Sequence, residues 1–426
     1  MKQFLDKRMS SGSKSIAMVT ISNLIGNVVS IISGLIIARW MLPEELGLFN
    51  AFSIFTSYVI LMQLGIPSGL SRELPFYFGQ LKEDYAIDLA ATAKYFMLAL
   101  SFAILGLCII PSVYFFYIAK YEYAIGSLVV GITSAQTFYT TKYLKILYRS
   151  DNHFNKLSNI TLINTLVNLV SIVLVYHYLF YGLCMRAIIL VMVDWYFTEK
   201  WKPIHTEARF NWKNFKELSK VGMPIYFVAN VYSLWPTFQR TMILSMLGAK
   251  GLGIYALANI VQNMLSTFNG AISSISFPKM SLAYGQGKSI TEVLKMPFKL
   301  IIVSILIYTF ILLVGWPLLP KVVAIVLPNY QSGVEAAQWM FVVALVSSLN
   351  IFSNIYMVIK KNHHRLISYI IGMTVWLLYI LYHSITTVAD LVIFSKALLF
   401  GYMATVFCDF CFYFLYLKRD SLPIKG

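Results

Sequence analysis

Leu46–Ile54 reads LGLFNAFSI, and Leu252–Ile260 reads LGIYALANI. The opening Leu-Gly and the closing Ile recur at a constant offset of 206 residues, from Leu46 to Leu252, and Leu48-Phe49 becomes Ile254-Tyr255. The same offset sets Pro67–Gln80 (PSGLSRELPFYFGQ) against Ser273–Gln286 (SSISFPKMSLAYGQ), where Phe78-Gly79-Gln80 meets Tyr284-Gly285-Gln286. It also sets Tyr176-His177 against Tyr382-His383. One short coincidence is common; three on one offset predict an internal repeat in which residues 1–200 superpose on 214–420.

The repeated material is apolar. Hydrophobic residues make up 58% of the 426-residue chain and charged residues only 12%, against about 25% charged in a soluble domain. Ile21–Ala38 (ISNLIGNVVSIISGLIIA) contains no ionisable residue, and a run of about 18 such residues is long enough to cross a bilayer. Many similar runs follow, so the chain reads as an all-α polytopic membrane protein. Twelve spans are expected, near 15–39, 47–70, 89–117, 121–147, 157–178, 182–198, 218–247, 252–277, 297–319, 334–359, 366–384 and 390–417. The polar, basic start MKQFLDKRMSSGSK precedes a run too long for a secretory signal and without a clear cleavage site, so the run reads as the first permanent span.

Lys and Arg set the expected orientation, because cytoplasmic loops of membrane proteins are enriched in them. One side collects Lys2, Lys7, Arg8 and Lys14, then Arg72 and Lys82, then Lys142, Lys145, Arg149 and Lys156. The basic stretch Thr198–Lys220, then Lys279, Lys288, Lys295 and Lys299, then Lys360, Lys361 and Arg365, and finally Lys418, Arg419 and Lys425 continue it. The other side has only Arg39, Lys120, Lys250 and Lys321. Both termini are therefore expected in the cytoplasm. Residues 1–200 read as an N-terminal six-helix bundle, 201–217 as a basic cytoplasmic linker and 218–426 as a C-terminal six-helix bundle. Six spans per copy is an even number, which makes the repeats parallel, related by an axis along the membrane normal. The net charge of +16 then reports topology and contact with anionic lipid rather than nucleic acid.

SGLIIARWMLPEELGLFNAFSIF and LGIPSGLSRELPFYFGQ in the first half resemble the polysaccharide-exporting branch of the multidrug/oligosaccharidyl-lipid/polysaccharide (MOP) exporter superfamily, and within it the Wzx-type flippases of O-antigen repeat units. Ile146–Tyr176 (ILYRSDNHFNKLSNITLINTLVNLVSIVLVY) resembles that family's basic turn between spans four and five, and Gln239–Val261 (QRTMILSMLGAKGLGIYALANIV) resembles the start of its second half. The resemblance covers nearly the whole chain through diffuse motifs. It implies the MOP exporter fold, two six-helix bundles that rock about a central cavity. It also implies a substrate of undecaprenyl pyrophosphate bearing one oligosaccharide unit, moved from the cytoplasmic to the periplasmic leaflet of the bacterial inner membrane, with a polysaccharide polymerase and chain-length complex as a possible partner. Flippases of the peptidoglycan precursor generally carry two more spans than the twelve expected here.

Ionisable groups inside spans are candidates for function, since each costs a few kcal/mol or more at mid-membrane. Arg186 and Lys396 lie about one turn into corresponding spans six and twelve, where a substrate contact competes with snorkelling to the interface. Lys94 starts span three, and Arg39 ends span one beside Glu44 and Glu45; for both, anchoring competes with binding substrate. Arg240 lies deepest, about seven residues before the end of span seven and four after Pro236, and is expected to line the cavity and hold the pyrophosphate. Asp194 and Asp409, in spans six and twelve, are candidates for ion coupling or simple partners of nearby cations. The four cysteines lie in apolar runs and read as small buried side chains, including Cys408 and Cys411 of the CxxC spacing. His177, His383, His363 and His364 are expected at the interface or in solvent. No metal cluster, phosphate loop or nucleophile triad is legible, so no cofactor and no enzymatic activity are expected.

Three functions remain to be weighed. A lipid-linked oligosaccharide flippase suits the excess of basic over acidic groups within the spans. A multidrug cation exporter on the same fold would want an acid-dominated cavity. A membrane glycosyltransferase, a polymerase or ligase, would want a large periplasmic loop, and none is expected. With 28 Tyr and 30 Phe, aromatic rings are available both for interfacial belts and for stacking on sugars.

Overall fold

The apolar runs fold into helices, which satisfy every backbone N–H and C=O within the segment where no water can do so. The structure, a computed structural model, describes residues 2–286, 290–359 and 361–420, and Lys288, Lys360 and Lys425 of the expected basic side lie outside them. The described residues contain no strand. The main helices are α1 (Lys2–Trp40), α2 (Pro43–Val59), α3 (Ile66–Gly79), α4 (Glu83–Tyr117), α5 (Tyr121–Gln136), α6 (Lys145–Ser150) and α7 (Phe154–Val170). They continue with α8 (Ile172–Lys200), α9 (Trp212–Gly285), α10 (Ile290–Val326), α11 (Val334–Ser348), α12 (Asn354–Val358), α13 (Asn362–Tyr382) and α14 (Leu391–Asp420). Among the described residues, eight helical stretches are long and apolar enough to cross a membrane. The protein is a multi-pass membrane protein.

Two of the long helices are hairpins. In α9 the backbone breaks at Gly248, with φ +66°. Gln239 and Tyr255, sixteen residues apart, would be roughly 24 Å apart along a straight helix at 1.5 Å per residue; instead Gln239 Nε2 donates to Tyr255 Oη at 2.5 Å. The chain therefore doubles back at Gly248, between the spans expected to end at 247 and start at 252. In α8 the break falls at Leu179, with φ 47°, between the expected limits 178 and 182. A Cβ on Gly182 would lie 2.2 Å from the Leu174 carbonyl oxygen, so only a residue without one permits that close return.

By its contacts the chain resolves into two units, residues 1–41 with 48–237, and residues 42–47 with 238–426. In the first, α4 and α5 form an antiparallel pair. Ser101 Oγ donates to the Ala135 carbonyl and Ser112 Oγ to the Ala124 carbonyl, each at 2.8 Å. Ala90, Ala93, Met97, Ser101, Ile104 and Cys108 recur every three or four residues and form the buried seam of α4. Small residues let backbones approach closely, which is how helices associate without a hydrophobic driving force in lipid. Phe102, Ile110 and Phe116, 66–69% exposed, form an apolar face suited to acyl chains.

The segment after α8 is strapped onto the same unit. Lys94 Nζ donates to the Thr206 carbonyl at 2.6 Å, Tyr143 Oη and Thr206 Oγ1 share a hydrogen bond of 2.6 Å, and Arg209 N donates to the Ala91 carbonyl. Tyr77 and Tyr85 both donate to the Glu217 carboxylate, at 2.9 and 2.6 Å.

In the second unit, the two copies of the repeated phrase meet. A Cβ on Gly47 would lie 1.8 Å from the Ala249 carbonyl oxygen, and one on Gly253 would lie 1.7 Å from that of Pro43. Pro43 and Ala249, like Gly47 and Gly253, are related by the offset of 206, so the contact is reciprocal. Both glycines are there because the backbones touch.

Candidate functional site

A cavity of about 400 Å³ opens within the first unit, lined by α1, α5, α6, α7, α8 and the segment joining α5 to α6. α1 contributes Asn23, Asn27 and Ser30, one face of a helix at four- and three-residue spacing; α7 contributes Thr161, Asn164, Thr165 and Asn168 in the same way. The two helices run side by side in the same direction: Ser22 Oγ bonds Ser158 Oγ, and a Cβ on Gly26 would lie 3.2 Å from Thr165 Oγ1.

Asp194, from α8, lines this cavity and is itself buried. Its carboxylate accepts from Gln136 Nε2 and Asn164 Nδ2, each at 2.6 Å, and pairs with Lys145 Nζ at 3.0 Å. Gln136 and Lys145 are nine residues apart. At 3.6 residues per turn they would sit roughly 180° apart on an α-helix. The intervening Thr137–Leu144 is a π-helix, and its wider turn brings both side chains to one carboxylate. Such π segments are rare and occur frequently at functional sites.

Arg186 lies eight residues before Asp194 on α8, roughly 12 Å along the axis. Its guanidinium donates to Asn168 Oδ1, and Asn168 lines the cavity. Arg186 Nε is buried without a hydrogen-bond partner, and Arg186 pairs with no acid among the described residues. Of the predicted site residues, the structure brings together Asp194 and Arg186 around this cavity.

The others are placed elsewhere. Lys94 is in the strap with Thr206. Arg39 is exposed on the last turn of α1. In the second unit, Lys396 Nζ stands 5.1 Å from the centroid of the Trp339 ring, a cation–π contact. Asp409 is buried on α14 with Ser368 and Arg365 of α13 beside its carboxyl. Arg240 is half-buried on α9, next to Gln239. From Gln239 a relay runs through Tyr255 Oη to Ser395 Oγ, at 3.3 Å, and on to the Ala336 carbonyl, at 2.9 Å.

The cavity's amides and Lys145 were not singled out in the sequence. Lys145 counts there as a topological charge, and its inward turn depends on the π segment. The amides do carry a signal: Asn23, Asn27 and Ser30 repeat on one helical face of a run otherwise apolar enough to span.

The overall fold is that of MOP-superfamily transporters. It matches an inward-facing multidrug resistance MATE family transporter of that superfamily with a TM-score of 0.70 at 13% identity, over 96% of this chain and 100% of the other. It matches a MOP superfamily transporter from Pyrococcus furiosus, described as having a binding pocket of reverse polarity, with a TM-score of 0.62 at 15% identity, over 96% of each chain. A MATE in complex with MaD5 gives a TM-score of 0.62 at 15% identity, again over 96% of each. At these identities the likeness is one of fold. No curated protein matches the chain. The chain belongs to the polysaccharide biosynthesis protein family, whose profile matches residues 13–283.

Proposed function

We propose that the protein is a flippase that moves undecaprenyl-pyrophosphate-linked oligosaccharide, an O-antigen or related repeat unit, from the cytoplasmic to the periplasmic leaflet of a bacterial inner membrane by alternating access. In this reading twelve spans place both termini in the cytoplasm, and a polysaccharide polymerase and chain-length complex takes up the product. The family supports a saccharide substrate. The observation that carries the choice within the fold is the state of the membrane acids. Asp194, the acid that lines the polar cavity, is neutralised by Lys145 at 3.0 Å, whereas Arg186 forms no ion pair with an acid among the described residues. A cavity without free acid has little to offer an organic cation, and an uncompensated guanidinium is suited to bind phosphate oxygens. Arg240, Arg186, Lys396, Lys94 and Arg39 supply positive charge for the pyrophosphate, with Arg240 foremost. Asp194 and Asp409 are the candidates for ion coupling.

The alternative, a multidrug or organic-cation exporter, draws on the MATE structures of the same fold. One strain comparison separates the two. Deleting the gene should abolish surface polysaccharide and leave lipid-linked repeat units on the cytoplasmic leaflet, and a plasmid copy should restore export. A deletion strain with intact surface polysaccharide and new sensitivity to cationic drugs would sink the flippase reading.

A further inference from the structure

We propose that the polar cavity of the first unit is a saccharide subsite, which holds sugar rings of the substrate through their hydroxyl groups. The inference rests on the flippase reading and names what this cavity adds to it.

Hydrogen-bonding capacity is left open there. Asn23, Asn27 and Thr141 line the cavity, and their side chains bond no other described residue. Asn164 spends its amide N–H on Asp194, while its Oδ1 is buried without a partner. Asn23 and Asn27 are exposed on one face of a helix apolar enough to span, so they present their amides to the opening of the cavity. An amide presents a donor and an acceptor side by side, and two hydroxyls on adjacent ring carbons present the complement.

The charge balance points the same way. Lys145 and Asp194 cancel, and the carboxylate already accepts from three donors. What lines the cavity besides that pair is amides and hydroxyls, with the Arg186 guanidinium behind Asn168, a surrounding that suits a polyol better than a metal ion. The cavity, about 400 Å³, falls within the roughly 300–1,000 Å³ of small-molecule sites and far exceeds the space one water needs. A site built to bond hydroxyls rejects analogues that lack them, so these residues would also set which repeat unit is accepted.

The test uses the purified full-length protein in detergent and two probes. One is the strain's own repeat-unit oligosaccharide released from its lipid, free of phosphate. The other is undecaprenyl pyrophosphate without sugar. Asn23→Leu/Asn27→Leu should weaken oligosaccharide binding at least tenfold and leave the affinity for undecaprenyl pyrophosphate unchanged. Thr141→Val, on a different segment, should weaken the oligosaccharide in the same direction. The proposal is overturned if the variants bind the oligosaccharide as tightly as the wild type. It is equally overturned if the wild type binds undecaprenyl pyrophosphate but no free oligosaccharide, an outcome that leaves the flippase reading standing. A wild type that binds neither probe removes both. Sodium-dependent binding of some other solute that the double substitution abolishes, with oligosaccharide affinity untouched, would make the cavity an ion site instead.

Discussion

Substituting Lys145 with methionine isolates the ion pair that lines the cavity. Asp194 is 9% exposed at its side chain and Lys145 23%, with 3.0 Å between Nζ and Oδ1. Breaking a buried pair by removing one partner costs about 3–5 kcal/mol, because the other charge stays behind. Here the stranded carboxylate keeps its bonds from Gln136 and Asn164, which lowers the expected loss for Lys145→Met to about 2–3 kcal/mol. Asp194→Asn should cost less, about 1–2 kcal/mol, since a quarter-exposed ammonium can still reach water. The double variant Lys145→Met/Asp194→Asn should be no worse than Asp194→Asn alone, which gives a coupling of roughly 2 kcal/mol between two neighbours. A domain of this size loses about 2–4 °C of Tm per kcal/mol, so Lys145→Met should melt about 4–12 °C lower. Tryptophan fluorescence during heating of the four proteins in one detergent at pH 7 gives the cycle. If Lys145→Met melts with the wild type, or the two single losses simply add, the pair does not hold the cavity and Lys145 is only a topological charge.

Three further outcomes can be checked. Gly253→Ala places a methyl against the Pro43 carbonyl, 1.7 Å away, whereas a Cβ on Gly79 meets nothing within 4 Å; Gly253→Ala should lose several kcal/mol and accumulate poorly in the membrane, while Gly79→Ala should accumulate normally, and equal levels would refute the reciprocal contact. Lys94→Met removes the donor to the Thr206 carbonyl, so cleavage of the 203–211 segment by a limiting protease should speed up at unchanged fold, and an unchanged digestion rate would show that Lys94 does not hold the strap. Arg240→Ala should cut surface polysaccharide sharply at normal protein level, because a charge-assisted contact of roughly 1.5–3 kcal/mol corresponds to about ten- to a hundredfold in binding; Arg240→Lys should retain part of the export and Arg240→Asp none, and normal export by Arg240→Ala would place the anion site elsewhere.

Much of the fold was legible because a bilayer acts on each segment separately. A run such as Ile21–Ala38 needs only its own average apolarity to become a membrane helix, and the breaks at Leu179 and Gly248 fall where apolar runs are interrupted in YHYLFYG and LGAKGLG. The internal repeat is a reading of the same kind, carried by phrases that recur in order at one offset along the chain. The site was legible only in part. Asp194 and Arg186 stood out as charges in apolar surroundings, but their partners Lys145, Gln136, Asn164 and Asn168 did not, because Lys145 falls in a basic stretch that topology explains and the amides are diluted by the leucines and isoleucines around them.

Composition and order along the chain determined that this protein is a helical, multi-pass membrane protein with a surplus of positive charge. Tertiary structure decided which faces meet. The π turn at Thr137–Leu144 aims Lys145 and Gln136 at one carboxylate, α1 lies beside α7 so that two amide rows share a cavity, and Gly47 touches the backbone of the second copy of its own phrase. The reason is physical: the free energy of inserting a helix into lipid sums over its residues whatever their direction, whereas a hydrogen bond or a backbone contact depends on the angle and distance between residues far apart in sequence.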